Sequence, residues 1–142
     1  MGLFNRTISP KPPYDTLVAE QRYALYFLLE SFTKYMDINR ASIAFEYLGK
    51  AAKKLGMTDK QIKEIRPDFN TFEKISPYIQ RISNRQILEY MISNCSSMFN
   101  LMEISEARTE FGNKVYDLYY NLGYTQDDIN SIRWKHQYDD IL

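Results

Sequence analysis

Few side chains in this sequence could carry out chemistry, and they stand apart from one another. The chain has a single cysteine, Cys95, and a single histidine, His136. It therefore cannot form a Cys/His zinc site, and no Ser/His/Asp or Cys/His catalytic arrangement is indicated. Cys95 lies between Ile92 and Phe99 on an apolar helix face, which predicts a small buried hydrophobic residue. His136 follows Lys135 without an obvious partner, and we expect it on the surface.

Three carboxylates are the candidate metal ligands. Asp37, Glu103 and Glu106 fall in two turns of similar pattern, and hard cations need several oxygen ligands in one place. Asp37 and Glu103 also come just before helices, where the helix dipole favours a negative charge. We expect this second role, with a metal site as the alternative. The five glycines are scattered and form no phosphate loop, so we predict no enzyme and no cofactor.

A cluster of basic residues surrounds the turn at Gly56. Its members are Lys50, Lys53, Lys54, Lys60, Lys63 and Arg66. Together with the flanking helices they could imitate a helix-turn-helix motif, so nucleic-acid binding is a second alternative. The net charge is zero and Asp59 and Glu64 interrupt the cluster, which favours a solvated face and no specific nucleic-acid binding.

Aromatic residues in the last third of the chain are the candidate partner surface. Tyr116 and Tyr120 lie opposite the apolar face of their helix, Tyr124 follows that helix, and Trp134 lies further on. Tyrosine and tryptophan are favoured at interfaces because one end is apolar and the other can stay hydrated. The sequence predicts a surface for another protein or a homodimer. The alternative is that the C-terminal stretch, with Tyr138 and Ile141, covers Tyr116 and Tyr120 within the monomer.

Apolar spacing and helix-capping residues predict an all-α fold of about seven helices without strands. The first helix spans 15–36 and, being apolar on nearly all sides, should be central. Asn39, Thr58, Asn70, Ser83, Ser105 and Thr125 are the predicted helix starts. Pro77 makes residues 70–82 two short turns or one kinked helix. We expect an N-terminal arm over 1–14, which its three prolines make extended and terminal fraying makes flexible, and one compact domain over 15–142.

The two halves of the chain share a pattern at an offset of 67 residues. LGMTDKQIKEI at 55–65 and LGYTQDDINSI at 122–132 agree at five of eleven positions. The same offset pairs Phe32 with Phe99 and Leu48 with Val115. The predicted organisation is repeat 1 over 17–66, a connector over 67–82, repeat 2 over 83–132 and an extension over 133–142. Each half has an apolar face to bury, which predicts a pseudo-two-fold arrangement; convergence of two amphipathic helix pairs is the alternative.

Two copies of helix, acidic turn, helix, L-G-hydrophobic-[ST] and short helix resemble the TerB-like tellurite-resistance fold, also found at the N-terminus of DjlA-type co-chaperones. The resemblance covers roughly residues 17–132 and implies a bacterial, stress-associated protein. In that family the turn D-G-x-I-[ST]-x-x-E supplies acidic ligands for a divalent cation. Here Ile38 and Ile104 keep the isoleucine, which we interpret as structural. The acidic places hold Tyr35, Ser42, Leu101 and Arg108. Specific metal binding is therefore not expected.

The sequence also bears on location. No apolar stretch has the length of a signal peptide, and the longest apolar run, 23–29, is too short to span a bilayer. A lone cysteine fits a reducing compartment. We therefore predict a cytoplasmic, non-enzymatic protein-interaction or stress-associated module without membrane insertion.

Overall fold

The computed structural model describes residues 12–136, which form seven α-helices joined by short turns. These are α1 (Ala19–Ser31), α2 (Ala41–Lys54), α3 (Asp59–Ile65), α4 (Phe72–Ile79), α5 (Arg85–Phe99), α6 (Glu106–Asn121) and α7 (Gln126–Lys135). The only extended pairing in this span is an isolated bridge between Met36 and Met102. The predicted all-α fold is confirmed. No helix in the described span is long and apolar enough to cross a membrane.

Side-chain caps set several helix starts as predicted. At α3 the Thr58 hydroxyl accepts from the Gln61 amide, and the Thr58 amide donates to Gln61 Oε1. Thr125 and Asp128 form the same reciprocal pair at α7, and Ser105 caps α6. Each cap satisfies amide groups that have no partner inside the helix.

Other boundaries differ from the prediction. The α-helical part of α1 ends at Ser31, and residues 32–35 tighten into a 3₁₀ turn. The caps of α4 and α5 are Thr71 and Asn84, one residue beyond the predicted Asn70 and Ser83. Pro77 lies inside α4, which is one helix. A proline six residues from the helix start removes one hydrogen bond, and the buried side chains of α4 keep the helix in place.

The predicted N-terminal arm over 1–14 does not hold for Tyr14, its last residue. Tyr14 is only 2% exposed and belongs to the hydrophobic core. A tight turn holds it there, because the Tyr14 amide donates to Pro12 O and the Thr16 hydroxyl donates to Pro13 O. Residues 1–11 lie outside the described part of the chain.

Helix α1 is the centre of the fold, as its composition predicts. Six consecutive residues, 24–29, are all buried. Helices α2, α4 and α5 pack around it. A helix surrounded in this way needs apolar side chains on every face.

The two halves meet at an aromatic contact and at a pair of turns. The Phe32 ring is fully buried, edge-on to Phe99 at 4.8 Å and to Phe111 at 4.9 Å between centroids. Beside it, the Asp37 amide donates to Leu101 O, and the Glu103 amide donates to Tyr35 O. Each turn thus donates one amide to the other turn and accepts one hydrogen bond from it through a carbonyl two residues earlier in the chain. The halves are held together by both side-chain packing and backbone hydrogen bonds.

Ile38 and Ile104 are not the structural residues of these turns. They are 86% and 87% exposed, so the interpretation based on the family pattern is wrong. Backbone hydrogen bonds between the turns hold the loops, which leaves both isoleucine side chains in solvent.

One glycine follows the second long helix of each half. Gly56 and Gly123 have positive φ angles of 70° and 96°, where other residues are strained. An arginine covers each turn: Arg22 donates to Leu55 O and Arg85 donates to Leu122 O. The shared L-G string therefore marks the same helix end in both halves.

The junction at Phe32 should make the halves unfold together. We expect Phe32→Ala to lower the free energy of unfolding by about 3–5 kcal/mol, because it empties a fully buried aromatic site. Phe45→Ala is the matched control: Phe45 is 62% exposed, and its loss should cost less than about 1 kcal/mol.

A urea titration, monitored by the NMR amide signals of Leu48 and Ile129, gives the unfolding midpoint of each half. Both signals should shift to lower urea together in the Phe32 variant. A lower midpoint at Leu48 with Ile129 unchanged would contradict a single cooperative unit.

Candidate functional site

The three candidate metal ligands are not brought together as a site. The Asp37 carboxylate accepts from the Asn39 amide and caps the turn before α2. Glu103 and Glu106 are exposed at the start of α6. Within residues 12–136 no three His, Cys, Asp or Glu side chains are grouped so that they could hold a metal ion.

Cys95 and His136 are both buried, one as expected and one not. Cys95 is fully buried, and burial raises the pKa of its thiol to about 12, which leaves a protonated, inert side chain. His136 is only 5% exposed, so the expectation of a surface histidine is wrong. Because α7 packs on α5, the end of α7 brings the His136 ring to 4.9 Å from Tyr90.

The basic cluster around Gly56 is partly neutralised. Arg66 forms a bidentate ion pair with Glu30, with distances of 2.7 Å from Nε to Oε1 and 3.0 Å from Nη2 to Oε2. Lys50 lies 4.0 Å from Glu46, with both side chains exposed. The lysines at 53, 54, 60 and 63 are exposed.

The four predicted aromatic site residues have different environments. Tyr116 is half-buried, with ring contacts to Phe99 at 6.0 Å and Tyr120 at 6.2 Å. Tyr120 is 45% exposed, and its hydroxyl donates to Gln126 Oε1. Trp134 is 75% exposed.

Tyr124 does not lie on this surface. Its ring is 8% exposed, and the Arg85 guanidinium stacks over it at 4.6 Å. Tyr138 and Ile141, the other members of the predicted C-terminal stripe, lie outside the described residues.

Tyr116 and Trp134 line two adjoining clefts, one residue in each. Two adjoining clefts of about 280 and 320 Å³ lie between the second half of α5, the first half of α6 and the last turn of α7. They share Ser96, Asn100 and Arg133. We call the combined feature the α5–α6–α7 groove. Its lining residues are Ser93, Ser96, Ser97, Phe99, Asn100, Arg108, Thr109, Gly112, Asn113, Tyr116, Asn130, Arg133, Trp134 and His136.

Glycine at 112 lets α6 approach α5 closely at the floor of the groove. A Cβ atom there would lie 3.3 Å from Phe99 Cε1, which is tighter than ordinary van der Waals contact. The same Phe99 ring packs against Phe32 in the core. The groove floor is therefore continuous with the junction of the two halves.

The remaining lining of the groove is polar and basic. Ser93, Ser96, Ser97 and Asn100 follow i, i+3, i+4, i+7 spacing along α5 and supply neutral hydrogen-bonding groups. Arg108 and Arg133 add positive charge, and among residues 12–136 no Asp or Glu lines either cleft. Such a surface can bind an extended, polar or anionic segment and offer aromatic contacts on either side.

Of the four aromatic residues that the sequence singled out, Tyr116 and Trp134 line this groove and Tyr120 and Tyr124 do not, and the polar lining residues were not predicted. The stripe of small uncharged residues on α5 was a usable signal, because a solvated helix face normally carries Lys or Glu. In the sequence, Arg108 is notable only because it stands at a place that is acidic in the TerB-like pattern. Nothing in the sequence pairs it with Arg133, which lies on another helix.

Comparisons of this chain with protein-family models, with curated proteins and with solved structures found no match. The TerB-like resemblance stays a prediction that these comparisons do not test.

We predict that divalent metal does not stabilise the protein. Millimolar Ca²⁺ or Mg²⁺ should leave the melting temperature unchanged, because Asp37, Glu103 and Glu106 do not converge. A site filled at about 100 times its Kd would add roughly 2.7 kcal/mol, or several degrees. A shift of that size, abolished by Asp37→Asn, would contradict the description of these turns.

The Cys95 thiol should resist chemical labelling in the folded protein. A thiol reagent at pH 8 should react only at the rate of unfolding, and promptly once urea is added. The folded pKa lies above the unfolded value of about 8.5, so the free energy of unfolding should fall as the pH rises from there towards 12. Cys95→Ala should remove that share of the pH dependence. Prompt labelling without urea would show an accessible thiol.

Proposed function

We propose that this protein is a non-enzymatic interaction module that docks a segment of another protein in the α5–α6–α7 groove. The supporting observation is the groove itself, which places the exposed Trp134 and the half-buried Tyr116 in its two adjoining clefts. Under the TerB-like resemblance, such docking would serve a cytoplasmic stress response.

The chemistry of the lining favours a peptide segment. Aromatic side chains carry much of the affinity at protein interfaces, because they bury a large area at a small entropic cost. The Ser96 hydroxyl and the Asn100 amide group can exchange hydrogen bonds with the backbone of an extended chain. The two adjoining clefts together provide space for several residues of such a chain.

An exposed tryptophan also argues for a partner. Trp134 leaves three quarters of its surface in solvent, where a lysine or glutamate would be the usual residue of a solvated helix. No arrangement of the described residues favours the metal-binding or nucleic-acid alternatives in the same way.

Selection from a random peptide library tests this proposal. Peptides that bind the wild-type chain should bind Trp134→Ala about thirtyfold more weakly, which corresponds to about 2 kcal/mol for an interface hot spot. Tyr116→Ser should have a similar effect. Phe45→Ala, an exposed aromatic on α2, is the matched control and should bind normally.

Calorimetric titration gives the affinities, and melting temperatures verify that each variant is folded. Equal affinity in the wild-type and Trp134→Ala chains would refute docking in the groove. A wild-type dimer that Trp134→Ala dissociates would show that the occupant is a second copy, against the proposal.

A further inference from the structure

The first half of the chain contains a cleft that corresponds to the α5–α6–α7 groove. It has a volume of about 400 Å³ and lies between α1, α2 and α3. Thr33, Gly49 and Arg66 line it, and the 67-residue offset relates them to Asn100, Tyr116 and Arg133 of the groove. The chain therefore offers an internal comparison between two clefts of related construction.

In the first cleft, Arg66 is paired with a carboxylate of the same chain. Arg66 binds both oxygens of Glu30, whose side chain is 20% exposed. A bidentate ion pair of this kind is the strong form of an arginine–carboxylate contact. The offset relates Glu30 to Ser97, which lines the groove but has no charge. Arg133 therefore lacks the partner that Arg66 has.

The second arginine of the groove, Arg108, likewise has no acidic partner among residues 12–136. The Arg108 Nε atom is buried and makes no hydrogen bond. Neither Arg108 nor Arg133 takes part in an ion pair with any residue in 12–136. A guanidinium group offers five donors and no acceptors, so two of them in a cleft whose described lining holds no acid favour an anionic ligand.

We propose that the α5–α6–α7 groove seats an Asp or Glu side chain of the partner protein on Arg133, at the position that Glu30 occupies in the first cleft. Arg108 supplies further donors from the opposite wall. The aromatic rings of Tyr116 and Trp134 contact the residues that flank this acid. The inference rests on the proposed docking function and names the chemistry of the docked segment.

The test compares two short peptides with blocked ends. One has a central tyrosine flanked by glutamates, and in the other every glutamate is replaced by glutamine. Trp134 is the only tryptophan in the sequence and lines the groove, so its fluorescence reports binding. The glutamate peptide should bind at least tenfold more tightly than the glutamine peptide, and salt should weaken it. Arg133→Gln should abolish that difference. Arg66→Gln, the matched change in the first cleft, should leave it intact.

The sharpest variant is Ser97→Glu, which supplies to Arg133 the carboxylate that Glu30 supplies to Arg66. It should lower the affinity for the glutamate peptide at least tenfold and keep the melting temperature. Ser97→Gln, which adds the same bulk without charge, should retain binding. Equal affinity in these two variants would overturn the inference, as would binding of a phosphoserine peptide alone.

Failure of this inference can be told apart from failure of the docking function. Peptides selected from the random library provide the readout. If they lose affinity for Trp134→Ala but bind Ser97→Glu and Arg133→Gln normally, docking stands and the carboxylate is wrong. If all three variants bind them normally, the groove is not the docking site.

A double variant, Asp139→Asn/Asp140→Asn, removes the two acids that follow α7 in sequence. It should bind the glutamate peptide as tightly as the wild-type chain or more tightly. Lost binding would count against a partner carboxylate.

Discussion

The packing of Phe32 between Phe99 and Phe111 is the contact on which the rest of the structure depends. It joins the end of α1 to both long helices of the second half, and the hydrogen-bonded turns beside it fix their relative direction. Phe99 also forms the floor of the groove, where Gly112 lets α6 come close. The shape of the candidate site is therefore a consequence of how the halves are joined.

Local signals in the sequence predicted the helices, and long-range packing accounts for the differences. Capping pairs such as Thr58–Gln61 act within one turn of the chain, so the sequence alone reveals them. The burial of His136, by contrast, depends on Tyr90 of α5, and that of Tyr14 depends on a core built from residues far along the chain. The exposure of Ile38 and Ile104 depends on two turns that meet only in the folded chain.

The candidate site was predictable only in its aromatic half. Tyr116 and Trp134 stand out because their residue types are unusual on a solvated face, whereas an arginine or a serine there is ordinary. Arg133 differs from Arg66 because no carboxylate within residues 12–136 pairs with it, and only a comparison of the two clefts reveals this. Arg66 and Glu30 show how the same architecture satisfies a guanidinium group internally. The 67-residue offset relates Glu30 to the uncharged Ser97, and we propose that a partner's acid takes the place of that carboxylate.

The side-chain Nε–Hε NMR signals of the arginines test the central claim most directly. As the glutamate peptide is added to the full chain, the signals of Arg133 and Arg108 should move, while that of Arg66, already bound to Glu30, should stay in place. Movement of Arg66 alone, or of none of the three at peptide concentrations that saturate the fluorescence change, would contradict an acid-binding groove in the second half.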